Sequence, residues 1–462
     1  MDSGFLKMST FTITNQINIP YVNEEFDDFI YSSLTILNPT WLENERMGRW
    51  NRDTKKKLYF LEESGESGLY APRGFLRDII EYCDANQIKF TIDNQTHIFE
   101  DVRFEFSGNL HDFQEIAVKT VQSENEGTLC APTGSGKTVM AIYLITQRKQ
   151  PTLIIVHTRE LLDQWTARIK FFLNINSRRI GQIGDGRLDE DKDITIALIQ
   201  TLCKYPEIVN DYGFLIIDEA HRTPSKTHTE IAKQFEGRYI LGLSATPYRR
   251  DGLSKVIEWY CGPIIHKIDP RSLIDSGHIT SVEAVIRRTN FVSSLHDPSA
   301  EYSTLLQEIS QNEERNQMIV DDVLSAVAMG ETCLVLSDRK AHCQRLKDMI
   351  LEKSKIKTEV LTGDVFADQR KRIVENINAG KIQVLIATSQ LIGEGFDCKN
   401  LSGLFLTLPI RFSGRVIQYL GRVLRPTEGK GRALVYDYLD QNVKCLYPGM
   451  KARKREYEKL KT

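Results

Sequence analysis

The sequence predicts an α/β chain with two parallel-sheet lobes in tandem, preceded by a small α+β domain. Three observations carry that reading. Between about 105 and 265, short apolar runs at 152–156, 194–198, 214–217 and 239–243 alternate with helical patterns. Strands and helices that alternate in this way form a parallel sheet covered on both faces. The same alternation returns between about 330 and 440, at 332–336, 357–361, 384–387, 403–408 and 433–437. The third observation is the stretch Ala131-Pro-Thr-Gly-Ser-Gly-Lys-Thr138, set between the apolar run 128–130 and the helical pattern 139–145. A phosphate-binding loop requires that strand–loop–helix context.

Taken in order, residues 1–100 read as the small domain, with short alternating segments at 10–19 and 58–61 and one amphipathic helix over 73–86. Residues 105–265 form the first lobe. Residues 266–330 read as a helical bridge, with helical patterns at 271–276, 302–310 and 318–329. The second lobe takes 331–445, and 446–462 is a basic tail. From Lys451 onward the tail carries six Lys or Arg against two Glu. It reads as a solvated, frayed helix, with nucleic-acid contact as the alternative.

At 462 residues the chain exceeds a single core, and about three domains are expected. Its 60 basic and 62 acidic side chains nearly cancel, so a nucleic-acid partner must be held by local basic patches. The eight cysteines are scattered with no C-x-x-C pair, which argues against zinc and against a disulfide framework. Reduced thiols point to a cytoplasmic setting. No apolar run is long enough to span a bilayer, and no export signal opens the chain.

The chemistry starts at the loop. Glycines at 134 and 136 let the backbone curl so that its N–H groups point at an anion, and the helix that follows adds the positive end of its dipole. Ala131, Pro132, Thr133, Gly134, Ser135 and Gly136 form the cradle. Lys137 reaches the β- and γ-phosphates of ATP, and the Thr138 hydroxyl ligates Mg²⁺. Ala131 stands where the usual pattern has glycine. Downstream, the strand 214–217 ends in Asp218-Glu-Ala-His221. That places both carboxylates at the carboxyl edge of the sheet, where ligands of α/β folds sit. Asp218 is expected to share the Mg²⁺ with Thr138, and Glu219 to polarise the attacking water. Arg422 and Arg425 lie three apart, so their guanidinium groups face one way on a helix. Arginine suits developing phosphoryl charge, and on the second lobe such a pair completes a site only when the lobes close. Ser244 and Thr246 follow a strand beside the acidic pair. Two roles are open for their hydroxyls, a relay of γ-phosphate state or an ST-turn.

These residues resemble, in order and spacing over roughly 105–440, the motor of superfamily 2 helicases, a pair of RecA-like lobes. Asp218-Glu-Ala-His221, Ser244-Ala-Thr-Pro247 and Gln418-Tyr-Leu-Gly-Arg-Val-Leu-Arg425 carry the likeness. It implies catalytic roles for His221 and Gln418 as well, and an adenine-reading role for Gln114. His157-Thr-Arg-Glu-Leu161 and Gln200-Thr201 match strand-contacting elements, as do Leu334-Val-Leu-Ser-Asp338, Thr362-Gly-Asp364, Ala387-Thr-Ser389 and Gly393-Glu-Gly-Phe-Asp397. Thr158, Arg159, Gln200, Thr201, Thr362, Gly363 and Thr388 are therefore the expected nucleic-acid contacts. Groups of this kind suit phosphate oxygens, which position a strand without reading its sequence.

The segment Ser244-Ala-Thr-Pro-Tyr-Arg-Arg-Asp-Gly252, with Ile257-Glu-Trp-Tyr-Cys-Gly-Pro263, resembles the XPB-like branch rather than DEAD-box RNA helicases. Ahead of the motor, Asn38-Pro39, Gly48-Arg-Trp-Asn51, Pro72-Arg-Gly-Phe-Leu76 and Tyr82-Cys83 resemble the N-terminal domain of phage fork-remodelling helicases of the UvsW kind. There the basic residues Arg46, Arg49, Arg52, Lys55, Lys56 and Lys57 interleave with Trp41 and Trp50. Two readings are open, a grip with stacking on unpaired bases, or a solvated hairpin whose tryptophans fill its own small core. Asp397 to Gln418 has room for one strand and its loops, so the strand-splitting hairpin of DEAH-type RNA helicases does not fit. The resemblance implies a monomeric ATP-dependent DNA translocase for forked or branched DNA, in a host cell's cytoplasm if phage-encoded. An RNA helicase and the translocating subunit of a restriction complex are the alternatives.

Arg422→Ala and Arg425→Ala are each expected to slow ATP hydrolysis by about 10³–10⁵ while changing ATP affinity little. A chain ending near residue 265 that hydrolysed ATP at the full-length rate would contradict this.

Overall fold

The computed structural model describes residues 8–461 except 65–67, 191, 224–225, 247–248, 250, 394–397, 399, 411–412 and 424–430. By contacts the chain divides into two units: residues 1–131 with 137–267, and residues 268–462 with the loop 132–136.

The first unit opens with strands β1 (Ser9–Ile13), β2 (Ile17–Pro20), β3 (Thr35–Leu37), β4 (Lys57–Tyr59), β5 (Glu62–Ser64), β6 (Gly68–Ala71) and β7 (Phe90–Asn94). Five of them form a sheet in the order β5-β6-β2-β1-β7, and β3 pairs with β4 as a separate two-stranded ribbon. The helix Glu24–Ser33 starts where the Asn23 side chain accepts the Phe26 N–H at 2.8 Å, with Glu24, Glu25 and Asp27 in its first turn. Such a cap satisfies an orphan donor, and the acidic turn opposes the positive end of the helix dipole.

The small domain does not close its core alone. Phe11, Phe26, Phe75 and Ile79 pack in one cluster with Ala232, Val256, Trp259 and Tyr260 of the first lobe. Arg73, only 5% exposed, donates to the carbonyls of Gly237 at 2.7 Å and Arg238 at 2.9 Å. It also faces the partly buried Glu126 at 3.7 Å. A buried guanidinium needs such acceptors. These contacts build residues 1–100 into the same unit as the lobe that follows.

The first lobe adds β8 (Glu126–Cys130), β9 (Thr152–Val156), β10 (Ile180–Gly184), β11 (Arg187–Asp189), β12 (Ile194–Leu198), β13 (Phe214–Asp218), β14 (Tyr239–Ser244) and β15 (Ile264–Lys267). Their order is β11-β10-β12-β9-β13-β14-β8-β15. Every pairing is parallel except the edge pair of β10 and β11. All five residues of β9 and of β13 are buried, as a sheet covered on both faces demands.

The second unit holds β16 (Ser281–Thr289), β17 (Cys333–Leu336), β18 (Thr358–Leu361), β19 (Val384–Ala387), β20 (Gly403–Leu406) and β21 (Arg432–Asp440), in the order β16-β21-β20-β17-β19-β18 and all parallel. The two parallel sheets agree with the fold class expected from the alternation. The segment 266–330, read as a helical bridge, contributes more than its helices Pro270–Asp275, Tyr302–Gln311 and Glu313–Ala328. Its strand β16 pairs along nine residues with β21. Buried Arg315 then donates to Asp440 at 2.8 Å and to the Thr407 carbonyl at 2.6 Å, while Thr289 donates to the same Asp440 at 2.6 Å. The bridge is thus stitched into the second sheet.

The tail also departs from its expected frayed state. The helix Tyr447–Lys459 buries Arg453 and Tyr457. Arg453 makes a two-point ion pair with buried Asp437 at 2.6 and 2.9 Å, and Tyr457 donates to that carboxylate at 2.7 Å. Arg453 also donates to the Ile410 carbonyl at 2.7 Å. Periodicity missed this because the tail's composition is basic, and the pairing depends on a carboxylate presented by β21. Among the described residues, no helix is long and apolar enough to cross a membrane.

Removing one partner of a buried pair strands the other charge. Arg453→Ala is therefore expected to destabilise the second unit by about 3–5 kcal/mol. Chemical denaturation of the full chain checks it, with exposed Lys454→Ala as the control. Equal losses in the two variants would contradict a docked tail.

Candidate active site

Because the strands of the first lobe run one way, their carboxyl ends share one edge of the sheet. Reading across from β12 to β8, that edge presents Gln200 and Thr201, then His157 and Thr158, then Asp218 and Glu219, then Ser244 and Thr246, then the loop from Ala131. The registers Ile217↔Ile155, Asp218↔Leu243 and Ser244↔Cys130 hold these positions level. The Ala131 N–H donates to the Ser244 carbonyl at 3.0 Å, which fixes where the loop departs.

In that loop, Gly134 and Gly136 have φ of 92° and 84°, the left-handed region that admits glycine without strain. The Ser135 hydroxyl donates to the Pro132 carbonyl at 2.7 Å and closes the turn. Lys137 stands at the first position of the helix Lys137–Arg148, and its ammonium donates to the Ala131 carbonyl at 3.0 Å. Thr138 follows it on the same turn. Gln114 is 5% exposed in the first turn of the helix Asp112–Gln122, where its Oε1 accepts the His111 N–H at 3.0 Å in a capping box.

Asp218 is held at both oxygens. Its Oδ1 accepts the Glu219 N–H at 2.9 Å, and its Oδ2 accepts the indole N–H of Trp165 at 2.8 Å. Burial raises its pKa, the Glu219 charge adds to the rise, and the Trp165 and Lys137 contacts oppose it. Glu219 has φ 53° and ψ 51°, a conformation uncommon outside glycine and concentrated at functional sites. Its Oε2 lies 3.2 Å from His221 Nδ1. Burial works against ionisation of Glu219, but the His221 hydrogen bond and charge, helped by Lys137 and His157, win and hold its pKa at about 2. A carboxylate held that low carries its charge at neutral pH.

Both roles weighed for Ser244 have a counterpart. Its hydroxyl accepts the Thr246 N–H at 3.1 Å, an ST-turn, and lies 3.4 Å from His221 Nδ1. Arg249 was not singled out by sequence reasoning. It grips Asp251 through Nε at 3.0 Å and donates to the His221 carbonyl at 2.7 Å. Pro247, Tyr248 and Arg250 of the same segment lie outside the described residues. Trp165 was missed as well. Its spacing with Leu162 and Ile169 reads as core, and only the need of a buried indole N–H for an acceptor could have marked it.

The expected strand contacts are spread over both units. In the first, the Thr158 hydroxyl caps the helix Arg159–Leu173 by accepting the Leu161 N–H at 3.3 Å. Arg159 pairs with Asp185 at 2.7 Å, and Gln200 donates to the His157 carbonyl at 3.3 Å. Thr201 lies in the short helix Ile199–Leu202. In the second, Thr362 and Gly363 follow β18, and Thr388 follows β19 with its N–H on the Leu361 carbonyl at 3.1 Å. Gln418 lies on the helix Ser413–Val423. That helix also carries Arg422, whose side chain is not among those described; Arg425 and residues 394–397 lie outside the described residues.

The basic and aromatic run occupies the helix Pro39–Arg46, the turn after it and the start of β4. Trp50 is 88% exposed, so it fills no core. Trp41 is partly covered, with the Lys56 ammonium 5.0 Å from its ring centroid. Asn51 holds the turn by donating to the Trp41 carbonyl at 3.2 Å and accepting from Asn44 at 3.0 Å. Arg49, Arg52, Lys55, Lys56 and Lys57 are all exposed around it.

Comparison with known proteins gives the family of the two lobes. Residues 92–249 match the family of the type III restriction enzyme res subunit, and residues 314–427 match the helicase conserved C-terminal domain. The DNA 3'-5' translocase XPB2 of Sulfurisphaera tokodaii is 27% identical over 358 residues, covering 68% of this chain and 78% of its own length. The ATP-dependent DNA helicase uvsW of Enterobacteria phage T4 is 24% identical over 404 residues, covering 80% and 79%. L396 of Acanthamoeba polyphaga mimivirus, which carries an RNA helicase name, is 26% identical over 370 residues, covering 77% and 69%. Among solved structures, the type ISP restriction-modification enzyme LlaBIII bound to DNA shares the fold, with TM-score 0.57 and 14% identity over 80% of this chain and 32% of that one. The helicase domains imply the use of ATP. The chain belongs to the superfamily 2 helicases, of the XPB-like and UvsW kind.

Proposed function

We propose that this helicase is a monomeric, cytoplasmic DNA translocase that uses ATP to remodel forked or branched DNA in recombination, repair or replication. The observation that carries the branched-DNA reading is the bare Trp50 ring, set among Arg49, Arg52 and Lys55 to Lys57 on the small domain. Aromatic faces stack on unpaired bases and cationic groups follow the backbone, a combination indifferent to sequence. The DNA names of XPB2 and uvsW support the choice of DNA, over relatives aligned along most of this chain. The res-subunit family match and LlaBIII favour one second reading, a translocating subunit of a larger complex. An RNA helicase, as L396 is named, is the other.

For ATP, the chain supplies Lys137 and the loop amides to the phosphates. The donor chemistry also fits Mg²⁺, since the Asp218 carboxylate and the Thr138 hydroxyl are hard oxygen ligands. Among the described residues no cluster of three or more His, Cys, Asp or Glu is placed to hold a metal by itself. Mg²⁺ in phosphate sites is characteristically held by one or two protein ligands, with waters and phosphates completing the shell. When bound it neutralises charge on the β- and γ-phosphates. Glu219, ionised and braced by His221, orients the attacking water. Gln418, Arg422 and Arg425 supply the cationic and amide groups of the second lobe.

Lys137→Ala and Glu219→Gln are both expected to abolish turnover, by different routes. Losing Lys137 removes charge compensation, so nucleotide affinity falls. Losing the Glu219 charge leaves the cradle whole, so ATP binds and persists. Equilibrium nucleotide binding that weakens equally in the two variants would contradict these roles.

Replacing Lys55, Lys56 and Lys57 with Ser is expected to lower fork affinity and to reduce the salt slope of binding by about 0.7–0.9 for each lost phosphate contact. Trp50→Ala should impair fork remodelling while leaving most of the DNA-stimulated ATPase. ATPase stimulation compared across single strands, duplex, forks, four-way junctions and RNA tests the whole reading. Stimulation by RNA alone would overturn it.

A further inference from the structure

We propose that Trp165 is a positioning residue that ties the nucleic-acid-facing start of the helix Arg159–Leu173 to the carboxylate Asp218, so that strand binding is felt at the metal-holding oxygen. The inference rests on the reading of Asp218 as the Mg²⁺ ligand and of Thr158 and Arg159 as strand contacts.

The geometry is direct. The helix leaves β9 at the carboxyl edge of the sheet, and its first residues, Thr158 at the cap and Arg159 next, lie on that edge. Less than two turns further on, roughly 10 Å along the axis, stands Trp165. Its ring is 1% exposed and its Nε1–H donates to Asp218 Oδ2 at 2.8 Å. Asp218 ends β13, the strand paired with β9. Leu162, Ile169 and Leu173 are buried on the same helix. A helix packed through four such residues shifts as one body, because close-packed interiors transmit displacement rather than absorb it. A pull on its first turn therefore reaches the indole.

Packing alone gives no reason for this donor to face that acceptor. A buried indole N–H needs a partner, and a backbone carbonyl would serve. Here it is committed to a carboxylate whose other oxygen is fixed by the Glu219 N–H at 2.9 Å. With one donor on each oxygen, the carboxylate plane cannot turn without loosening one bond. The indole thereby sets which lone pairs of Oδ2 remain for a cation. The link is reciprocal, since whatever strand binding does to Asp218, occupancy at Asp218 must do to strand affinity.

The test uses the full-length chain. Trp165→Phe keeps an aromatic ring in the core and deletes only the N–H donor side of the indole. The expected result is a loss of at least about fivefold in the ratio of DNA-stimulated to unstimulated ATP turnover, with a raised Mg²⁺ concentration for half-maximal turnover. Single-strand affinity should also lose its dependence on bound ADP–Mg²⁺, a binding readout that a purely structural role would not move. A second measurement needs no variant. In ¹⁵N-labelled wild-type protein, where four tryptophans keep the indole region simple, the Trp165 resonance should shift both on adding ADP with Mg²⁺ and on adding a single-stranded oligonucleotide. An indole resonance indifferent to the oligonucleotide, or a variant with wild-type stimulation and Mg²⁺ requirement, would overturn the proposal. Wild-type protein that neither binds DNA nor is stimulated by it would instead sink the functional reading beneath it.

Discussion

The direction of the strands in the first-lobe sheet is the constraint on which the rest depends. From β10 through β15, all strands but the edge strand β11 run in parallel. Parallel neighbours require a crossover between them, and those crossovers bury both sheet faces. In exchange, every strand delivers its carboxyl end to one edge. Residues as far apart in the chain as Ala131, His157, Gln200, Asp218 and Ser244 become neighbours there without any contact between their side chains having to be arranged separately. Asp218 lies on β13, flanked by β9 and β14, so it can be touched from both sides. The Trp165 contact to Asp218 comes from the helix that follows β9, while Ser244 at the end of β14 approaches His221 instead.

A second layer of organisation rests on buried charge. Apolar burial brings segments together without fixing which residue meets which. Arg73 on the Gly237 and Arg238 carbonyls, Arg315 on Asp440, and Arg453 on Asp437 each require one alignment. Each joins a peripheral segment to a neighbouring sheet or lobe: the small domain, the strand β16 with its helices, and the C-terminal helix. Buried pairs of this sort add little net stability over an apolar filling, yet strand a charge if the segment docks wrongly. Their distribution suggests that they act as registration points for parts whose apolar surface is too small to define a position.

This division explains what could be read from the sequence. The two parallel sheets were legible, because alternating apolar runs leave few other arrangements. The loop 131–138 and the strand ending in Asp218 and Glu219 were legible too, since local spacing alone sets their backbone context. The docking of the termini and of β16 was not. It depends on single arginines whose partners lie between 16 and 165 residues away in the chain. Neither composition nor periodicity registers a pairing of that range. Trp50 is the intermediate case. The sequence left it between a stacking face and a core residue, and its exposure decides against the core. Trp165 shows the opposite case, a core residue that no motif marks, whose one polar atom reaches the carboxylate at the centre of the edge.

The acidic pair shows how one strand end can give two adjacent carboxylates different chemistry. Asp218 continues the strand and is held by donors on both oxygens, so its orientation is fixed while burial opposes its charge. Glu219 turns out of the strand through a left-handed backbone and meets His221, which keeps it ionised despite burial. The turn is costly for a residue with a side chain, about 1–3 kcal/mol. What it achieves is a change of partner: the second carboxylate meets the His221 ring at 3.2 Å, while the first is held by the Trp165 indole and the Glu219 N–H. His221 is in turn approached by the Ser244 hydroxyl, and its carbonyl is held by Arg249. A change at Glu219 therefore has a short polar route into the segment after β14, and a change at Asp218 has one into the helix after β9. The two carboxylates face two different outputs from the same strand.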